Sequence, residues 1–190
     1  MIEIFNLTKR YGEQTVLDNF YLTVNDGEKI VLTGESGVGK TTLLRILSRL
    51  ETADSGDVVC DGQIAYMFQD PRLLPWKTAK ENILAVLKKE NCSLAGKYLD
   101  AVGLTGAADK IPDELSGGMA QRVSFARFLA YTEESGATLL LLDEPFSALD
   151  KDTADKMLKL LLDFATDKTV ILVTHDENTA QNIGGRVVKL

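Results

Sequence analysis

The stretch Lys29-Ile-Val-Leu-Thr-Gly-Glu-Ser-Gly-Val-Gly-Lys-Thr-Thr-Leu-Leu-Arg-Ile-Leu-Ser-Arg-Leu50 decides the fold. Residues 29–33 are a short apolar run ending at a glycine, which is typical of a buried parallel strand. Residues 42–50 carry leucine and isoleucine at the spacing of a helix. A strand, a glycine-rich loop and a helix in this order predict the first unit of an α/β fold.

The loop between that strand and that helix has the pattern Gly-x-x-x-x-Gly-Lys-Thr of a phosphate-binding loop. Its glycines let backbone N–H groups point inward, and the helix that follows adds the positive end of its dipole. Lys40 is placed to reach the β- and γ-phosphates, and the Thr41 hydroxyl to ligate Mg²⁺. The motif alone does not choose between a kinase, a GTPase, a helicase and a transport ATPase. The residues that we expect to contact nucleotide are Gly34, Glu35, Ser36, Gly37, Val38, Gly39, Lys40, Thr41 and Thr42.

Two carboxylates, Asp143 and Glu144, follow the run of leucines at 139–142. That run predicts a buried strand ending at the carboxyl edge of the sheet, where open α/β sheets bind their ligands. Asp143 is suited to the Mg²⁺ shell, and Glu144 to polarising a water for attack on the γ-phosphate. The alternative is a simple pair of helix-capping residues.

The chain has 190 residues, of which 45% are hydrophobic and 26% charged, an ordinary balance for a globular protein. Its formal net charge of −7 argues against non-specific binding of DNA or RNA, which needs clustered Lys and Arg. No segment approaches the length of a membrane span, and the N-terminus does not resemble a signal peptide. Cys60 and Cys92 form no CxxC pattern. We therefore expect a cytoplasmic protein with unpaired thiols.

The rest of the chain extends the same fold. Alternating apolar residues near the N-terminus predict an antiparallel β edge, closed by the turn at Asn25-Asp26-Gly27. Three helices with no strand between them predict a helical lobe, approximately 76–131, inserted in the α/β body. The prediction is one domain, 1–190, with an α/β fold: a P-loop NTPase with a mostly parallel core sheet, an antiparallel β edge lobe and an inserted helical lobe. The helices are expected at 78–88, 94–102 and 119–130, and further buried strands at 138–142 and 169–173.

The segment Leu115-Ser-Gly-Gly-Met-Ala-Gln-Arg122 precedes the third of these helices. It resembles the LSGGQ signature of the ATP-binding-cassette (ABC) ATPases. The phosphate loop, Gln69, Asp143 and Glu144 stand in that family's usual order, as do Asp150 and His175. The resemblance therefore covers nearly the whole chain.

This resemblance implies that ATP and Mg²⁺ are the ligands and that a second ABC ATPase subunit completes the site. In the family, two subunits face head to tail, and each ATP lies between the phosphate loop of one and the signature of the other. Ser116, Gly117 and Gly118 are then expected at the γ-phosphate held by the partner. Tyr11 falls where an aromatic ring stacks on adenine, with an ordinary core or surface tyrosine as the alternative. Asp150 belongs to the loop, 147–150, that crosses the interface.

The resemblance also assigns catalytic roles. Gln69 matches the glutamine that senses Mg²⁺ and the attacking water. His175, the only histidine, matches the residue that contacts the γ-phosphate. With Lys40 and Glu144, these residues make the expected catalytic set, so we expect active hydrolysis of ATP.

The segment Gln69-Asp-Pro-Arg-Leu-Leu-Pro-Trp-Lys-Thr78 favours one branch of the family. With the signature LSGGM, it is similar to the importer ATPases for nitrate, sulfonate and taurine. In the family this region receives membrane permease subunits, so docking is expected near Leu73, Leu74 and Trp76. Packing within the helical lobe is the alternative reading of these side chains. The protein is then expected at the inner face of the cell membrane, held through the permease.

Two departures and two competing hypotheses remain. The stretch from residue 40 to residue 69 is shorter than is usual in the family, so a trimmed β-lobe is expected. The chain ends soon after His175, so no C-terminal regulatory domain is expected. One competitor is a non-transport ABC ATPase of DNA repair, chromosome structure, translation or assembly. The other is a non-hydrolysing regulatory module, which Glu144 and His175 disfavour. Homodimer and heterodimer are equally open, and no nucleic-acid partner is expected.

Overall fold

A computed structural model describes all residues, 1–190, and contains two β-sheets and six α-helices. A five-stranded parallel sheet has the order β5-β6-β7-β3-β8, and a three-stranded antiparallel sheet has the order β2-β1-β4. The strands are β1 (Ile2–Tyr11), β2 (Gln14–Val24), β3 (Lys29–Thr33), β4 (Ser55–Cys60), β5 (Ile64–Met67), β6 (Leu139–Asp143), β7 (Thr169–Val173) and β8 (Arg186–Lys189). The helices are α1 (Lys40–Leu47), α2 (Ala79–Leu84), α3 (Ser93–Ala101), α4 (Gly117–Ser135), α5 (Lys151–Phe164) and α6 (Glu177–Asn182).

The central strands of the parallel sheet are buried on both faces, which explains their unbroken apolar runs. Every residue of β6 and of β7 is buried. Leu140 and Leu142 join a core of 28 buried residues beneath α2 to α5. Leu139 and Leu141 point to the other face, where a core of 17 buried residues contains α1 and the antiparallel sheet. Strand β6 thus separates two hydrophobic cores and holds its carboxyl end at a fixed place between them.

The expected fold class is confirmed, and several boundaries differ from the sequence-based expectation. The helix expected at 42–50 begins at Lys40 and ends at Leu47, because Arg49 adopts a left-handed backbone with φ of 62°. The first strand, expected near the N-terminus, runs from Ile2 to Tyr11. Cys60 and Cys92 are unpaired, as expected.

The helices after β5 also differ in length from the expectation. The helix expected at 78–88 ends at Leu84, and Thr78 caps its start by accepting a hydrogen bond from the backbone N–H of Glu81. Helix α4 is longer than predicted and ends at Ser135, followed by Gly136, whose φ of 67° suits a helix C-cap. No helix has the length and apolar character needed to cross a membrane.

Asn82, a fully buried residue of α2, fixes the segment that leads into that helix. Its side-chain oxygen accepts a hydrogen bond from the Leu74 N–H at 2.7 Å. Its amide nitrogen donates to the carbonyls of Leu74, Lys77 and Thr78 at 3.2, 3.0 and 3.0 Å. One side chain therefore satisfies four backbone groups of a loop that lacks regular structure.

We expect Asn82→Ala to lower the free energy of unfolding by about 2–4 kcal/mol, because a fully buried side chain loses its hydrogen bonds and the part-buried Leu74 N–H and Lys77 carbonyl lose their partner. Urea denaturation monitored by circular dichroism measures this change. Asn178→Ala is the control, because Asn178 makes one exposed side-chain bond, to Asp155. That variant is expected within about 0.5 kcal/mol of the unmutated protein. Equal losses in the two variants would contradict this account of the loop.

Candidate active site

The glycine-rich loop joins β3 to α1, and its backbone requires glycine at two positions. Gly37 and Gly39 have φ of 83° and 109°, in the left-handed region that disfavours other residues. A Cβ atom on Gly39 would lie 2.6 Å from the Val16 carbonyl oxygen of β2, so no side chain fits there. The Lys40 ammonium lies over the loop and donates to the carbonyls of Gly34 and Glu35 at 2.8 and 2.7 Å. The loop is therefore packed against the antiparallel sheet, and the Lys40 ammonium lies within the curve of the loop.

A cleft of about 170 Å³ at the carboxyl edge of the parallel sheet brings most of the predicted residues together. Its walls combine the phosphate loop with side chains from the ends of three other strands. It is lined by Ser36, Gly37, Gly39, Lys40, Thr41, Thr42, Gln69, Asp143, Glu144, Val173 and His175. Polar groups of this kind, next to a helix N-terminus, suit a phosphate chain.

Asp143 is 2% exposed, and its Oδ1 atom has no hydrogen-bond partner. Its Oδ2 atom accepts a long hydrogen bond, 3.4 Å, from the Tyr66 hydroxyl. Burial raises the pKa of Asp143, while the hydroxyls of Thr41 and Tyr66 act in the opposite direction. An unpartnered buried carboxylate oxygen beside a threonine hydroxyl fits Mg²⁺, which prefers hard oxygen ligands completed by substrate phosphates. No cluster of three or more His, Cys, Asp or Glu side chains forms a metal cage of its own.

Glu144 is held in a strained backbone conformation, with φ of 46°. Its N–H donates to the Val173 carbonyl at 3.0 Å, and this bond fixes the turn that aims the side chain into the cleft. Burial raises the pKa of Glu144, opposed by the nearby His175. The Nε2 atom of His175 lies 3.3 Å from Glu144 Oε1. A buried carboxylate with a raised pKa is a stronger base than an exposed one, which suits the activation of a water molecule.

The other predicted residues lie outside this cleft. Tyr11 ends β1, with 44% of its surface exposed. Ser116 caps α4 and accepts from the Met119 N–H at 3.2 Å, with Gly117 and Gly118 in the first turn. Asp150 caps α5 in the same way, through the Thr153 N–H at 3.0 Å.

The signature and the loop 147–150 are neighbours within the chain. A Cβ atom on Gly118 would lie 3.2 Å from the Ala148 carbonyl oxygen. Ser116, Gly117, Ser147 and Asp150 are exposed. One chain therefore presents a phosphate cleft and, at a separate place, an exposed surface made of two helix N-termini.

Two residues near the cleft were not predicted from the sequence. Tyr66 of β5 contacts Asp143, and its place near the carboxyl end of a short apolar run is the one sequence signal that points to it. Gln121 lies inside the signature, and its buried amide donates to the Pro145 carbonyl at 2.9 Å. The signature helix is thereby tied to the turn that follows Glu144.

A parallel sheet with a phosphate loop, and two carboxylates at the end of a neighbouring strand, define a P-loop nucleotide hydrolase. Residues 17–147 match the family model described as ABC transporter. The chain is 43% identical over 193 residues to aliphatic sulfonates import ATP-binding protein SsuB 1 of Nocardia farcinica, covering 100% of this chain and 77% of that protein. It is 44% identical over 184 residues to the SsuB 1 protein of Pseudomonas savastanoi pv. phaseolicola, covering 95% and 76%.

Solved structures agree with this match. A dimeric structure of the ATP-binding cassette MJ0796 in a post-hydrolysis state, bound to ADP and Pi, superposes with a TM-score of 0.88. Its sequence is 32% identical, and the match covers 100% of this chain and 94% of that one. The chain belongs to the ATP-binding subunits of ABC transporters. It is an ATPase that converts ATP to ADP and phosphate, and this hydrolysis is coupled to transport.

The raised pKa of Asp143 has a measurable consequence for stability. The folded protein binds this proton more tightly than the unfolded chain, so stability falls as pH rises through the unfolded pKa towards the folded one. Asp143→Asn removes the buried charge and is expected to raise the melting temperature at pH 7, by roughly 2–4 °C per kcal/mol. The gain in melting temperature should fade below about pH 4, where the Asp143 carboxyl becomes neutral in both the folded and the unfolded protein.

Asp176→Asn is a control with the opposite sign. The hydroxyl and N–H of Thr179 lower the pKa of Asp176, so its stabilising effect is present at neutral pH and is lost as pH falls. This variant is expected to melt below the unmutated protein at pH 7 and to converge with it in acid. Melting curves recorded by calorimetry between about pH 2 and 8 check both variants, because both carboxyl groups become protonated at the acid end of that range. A lower melting temperature for Asp143→Asn at pH 7 would contradict the burial argument.

Proposed function

We propose that this chain powers an importer of aliphatic sulfonates. Its hydrolysis of ATP would drive the movement of an organic sulfonate through partner permease subunits. The support is the agreement among curated relatives at 38–44% identity, eight of which are named as aliphatic sulfonates import ATP-binding proteins. The identity extends over at least 95% of this chain in each of them.

The catalytic assignment follows from the cleft that joins Lys40, Asp143, Glu144 and His175. Lys40 exchanges its loop carbonyls for the β- and γ-phosphates, and the amides of the loop, Gly34 to Thr42, hold the remaining oxygens. Side-chain oxygens of Thr41, Gln69 and Asp143 would hold Mg²⁺, which would supply positive charge to neutralise the phosphates. Glu144 accepts a proton from the attacking water. His175 and Gln69 orient the γ-phosphate and that water.

The complete site needs a second ABC ATPase subunit. The signature of one subunit, Ser116 to Gly118, closes over the γ-phosphate bound by the other. The support is its place on an exposed surface outside the cleft of its own chain. Asp150 lies on the same surface and contributes to the contact. Tyr11 stacks on the adenine base. The partner is a second copy of this chain or a related one.

The permease is expected to dock next to the segment that contains Leu73, Leu74 and Trp76. Trp76 is 72% exposed, while Leu73 packs partly against the larger core. The whole chain, 1–190, then acts as one ABC ATPase domain whose helical lobe, approximately 76–131, carries this surface. The subunit sits at the cytoplasmic face of the membrane through that contact.

Glu144→Gln tests the catalytic assignment. The variant should still bind ATP and should form an ATP-dependent dimer, since the amide keeps the shape but cannot accept the proton. Its kcat should fall by about 10²–10⁴-fold. A phosphate-release assay and size-exclusion chromatography with ATP measure the two effects. Glu177→Gln, an exposed change nearby in α6, is the matched control and should behave as the unmutated protein. Unchanged turnover in Glu144→Gln would reject the assignment.

Growth on a defined sulfur source tests the cargo. Deletion of the gene should abolish growth on an aliphatic sulfonate as sole sulfur source, because uptake then has no energy supply. Growth on sulfate should be unaffected. The intact gene should restore growth, and the gene with Glu144→Gln should not. Normal growth of the deletion strain on several alkanesulfonates would exclude the proposed cargo.

A further inference from the structure

Lys9 is a buried cation outside the phosphate cleft, with an 8% exposed side chain. Its Nζ atom lies 2.9 Å from Glu51 Oε1 and donates to the Thr52 carbonyl at 2.8 Å. Asp54 Oδ1 is 3.6 Å away. A buried lysine is costly unless its charge and its N–H donors are satisfied, and here every partner comes from one segment, 51–54. We call Lys9, Glu51, Thr52 and Asp54 the Lys9 cluster.

The Lys9 cluster supports Tyr11. Lys9 Nζ lies 5.3 Å from the centroid of the Tyr11 ring, within the range of a cation–π contact. The Lys9 ammonium, with a smaller contribution from the Tyr11 hydroxyl, lowers the pKa of Glu51. The tyrosine is therefore exposed to solvent on one side and rests on an ion pair on the other.

Backbone pairing holds this end of β1 on one side only. Pairing with β2 continues to Tyr11, opposite Gln14, although its register shifts on both sides of Lys9. Pairing of β1 with β4 ends at Thr8, opposite Ser55. Beyond that point the Arg10 N–H donates to the Asp54 carboxylate at 2.6 Å instead of to a strand. Side chains of the cluster therefore replace β4 in holding residues 9–11 on that side.

The segment 51–54 follows closely after α1, the helix whose N-terminus faces the phosphates. The antiparallel sheet is thus attached to the phosphate-binding unit at two places. One is the contact of Gly39 with Val16 at the start of α1, and the other is the Lys9 cluster beyond its end. Two attachments at opposite ends of a helix fix the sheet relative to that helix, and with it the place of the Tyr11 ring.

We infer that Lys9, paired with Glu51, is a positioning residue that holds the Tyr11 ring in place to stack on the adenine base of ATP. The inference rests on the proposed role of Tyr11. Lys9 itself touches neither phosphate nor reacting atoms. Its loss should weaken ATP binding and leave the chemical step unchanged.

The test is a double-mutant cycle in the full chain assembled with its permease, with KM for ATP and kcat measured separately. Tyr11→Ala should raise KM about tenfold, the order of one base–aromatic stack, and Lys9→Met about three- to fivefold. Neither should change kcat appreciably. In the Tyr11→Ala background, Lys9→Met should add nothing to KM, because the ring it positions is absent. Lys9→Arg, which keeps the charge, should recover most of the affinity.

Arg186→Met is the matched control, because it removes an ion pair that stabilises the fold away from Tyr11. Arg186 binds Glu28 at 2.7 Å and also links the antiparallel sheet to the rest of the chain, through the Thr23 carbonyl. It should lower the melting temperature without raising KM. If Lys9→Met does not fold, Glu51→Gln removes the same ion pair and is read in the same way.

The outcomes separate the two hypotheses. A raised KM for Tyr11→Ala together with an unchanged KM for Lys9→Met overturns the inference and leaves the base-stacking role of Tyr11 standing. An unchanged KM for Tyr11→Ala overturns both. An equal effect of Lys9→Met with and without the tyrosine ring shows that Lys9 acts by another route and also overturns the inference.

Discussion

The site depends on strand β6, which is buried on both faces and holds two carboxylates out of water at its carboxyl end. Asp143 and Glu144 follow four buried leucines, and burial raises the pKa of both side chains. Transfer of a carboxylate from water into such a place is unfavourable unless other groups compensate. Lys40, the Thr41 hydroxyl and His175 are the groups placed to do so in the cleft. The apolar sheet, the phosphate loop and the turn at Glu144 all serve to hold these few polar atoms together.

Much of this arrangement was predictable from the sequence. The phosphate loop lies within a short range of the chain, so its spacing alone predicts which residues line the cleft. The carboxylates at the end of β6 were predictable because parallel strands share one carboxyl edge. The fold class followed from the same logic, since each apolar run is long enough for a buried strand and too short for a helix.

The rest depends on contacts between distant parts of the chain. Helix ends at Leu47 and Leu84 are set by local backbone geometry and packing, which apolar spacing does not encode. The contact of Tyr66 with Asp143 spans 77 residues. Lys9 of β1 contacts Asp54, which lies just before β4 and after β2, β3 and α1 in the chain. Such pairs become visible only when the fold brings them together. The contacts of the signature could not be predicted from one chain alone, because its expected ligand is bound by another subunit.

The left-handed backbone at Glu144 places activity and stability in opposition at a single residue. A glutamate in this conformation is disfavoured by about 1–2 kcal/mol, and its buried charge adds to that cost. Glycine relieves both, and one nucleotide change converts a glutamate codon to a glycine codon. With Glu144 in its proposed role as the base, a glycine here would remove activity and stabilise the fold. Such a subunit would persist in cells as a folded, inactive protein rather than being removed by proteolysis.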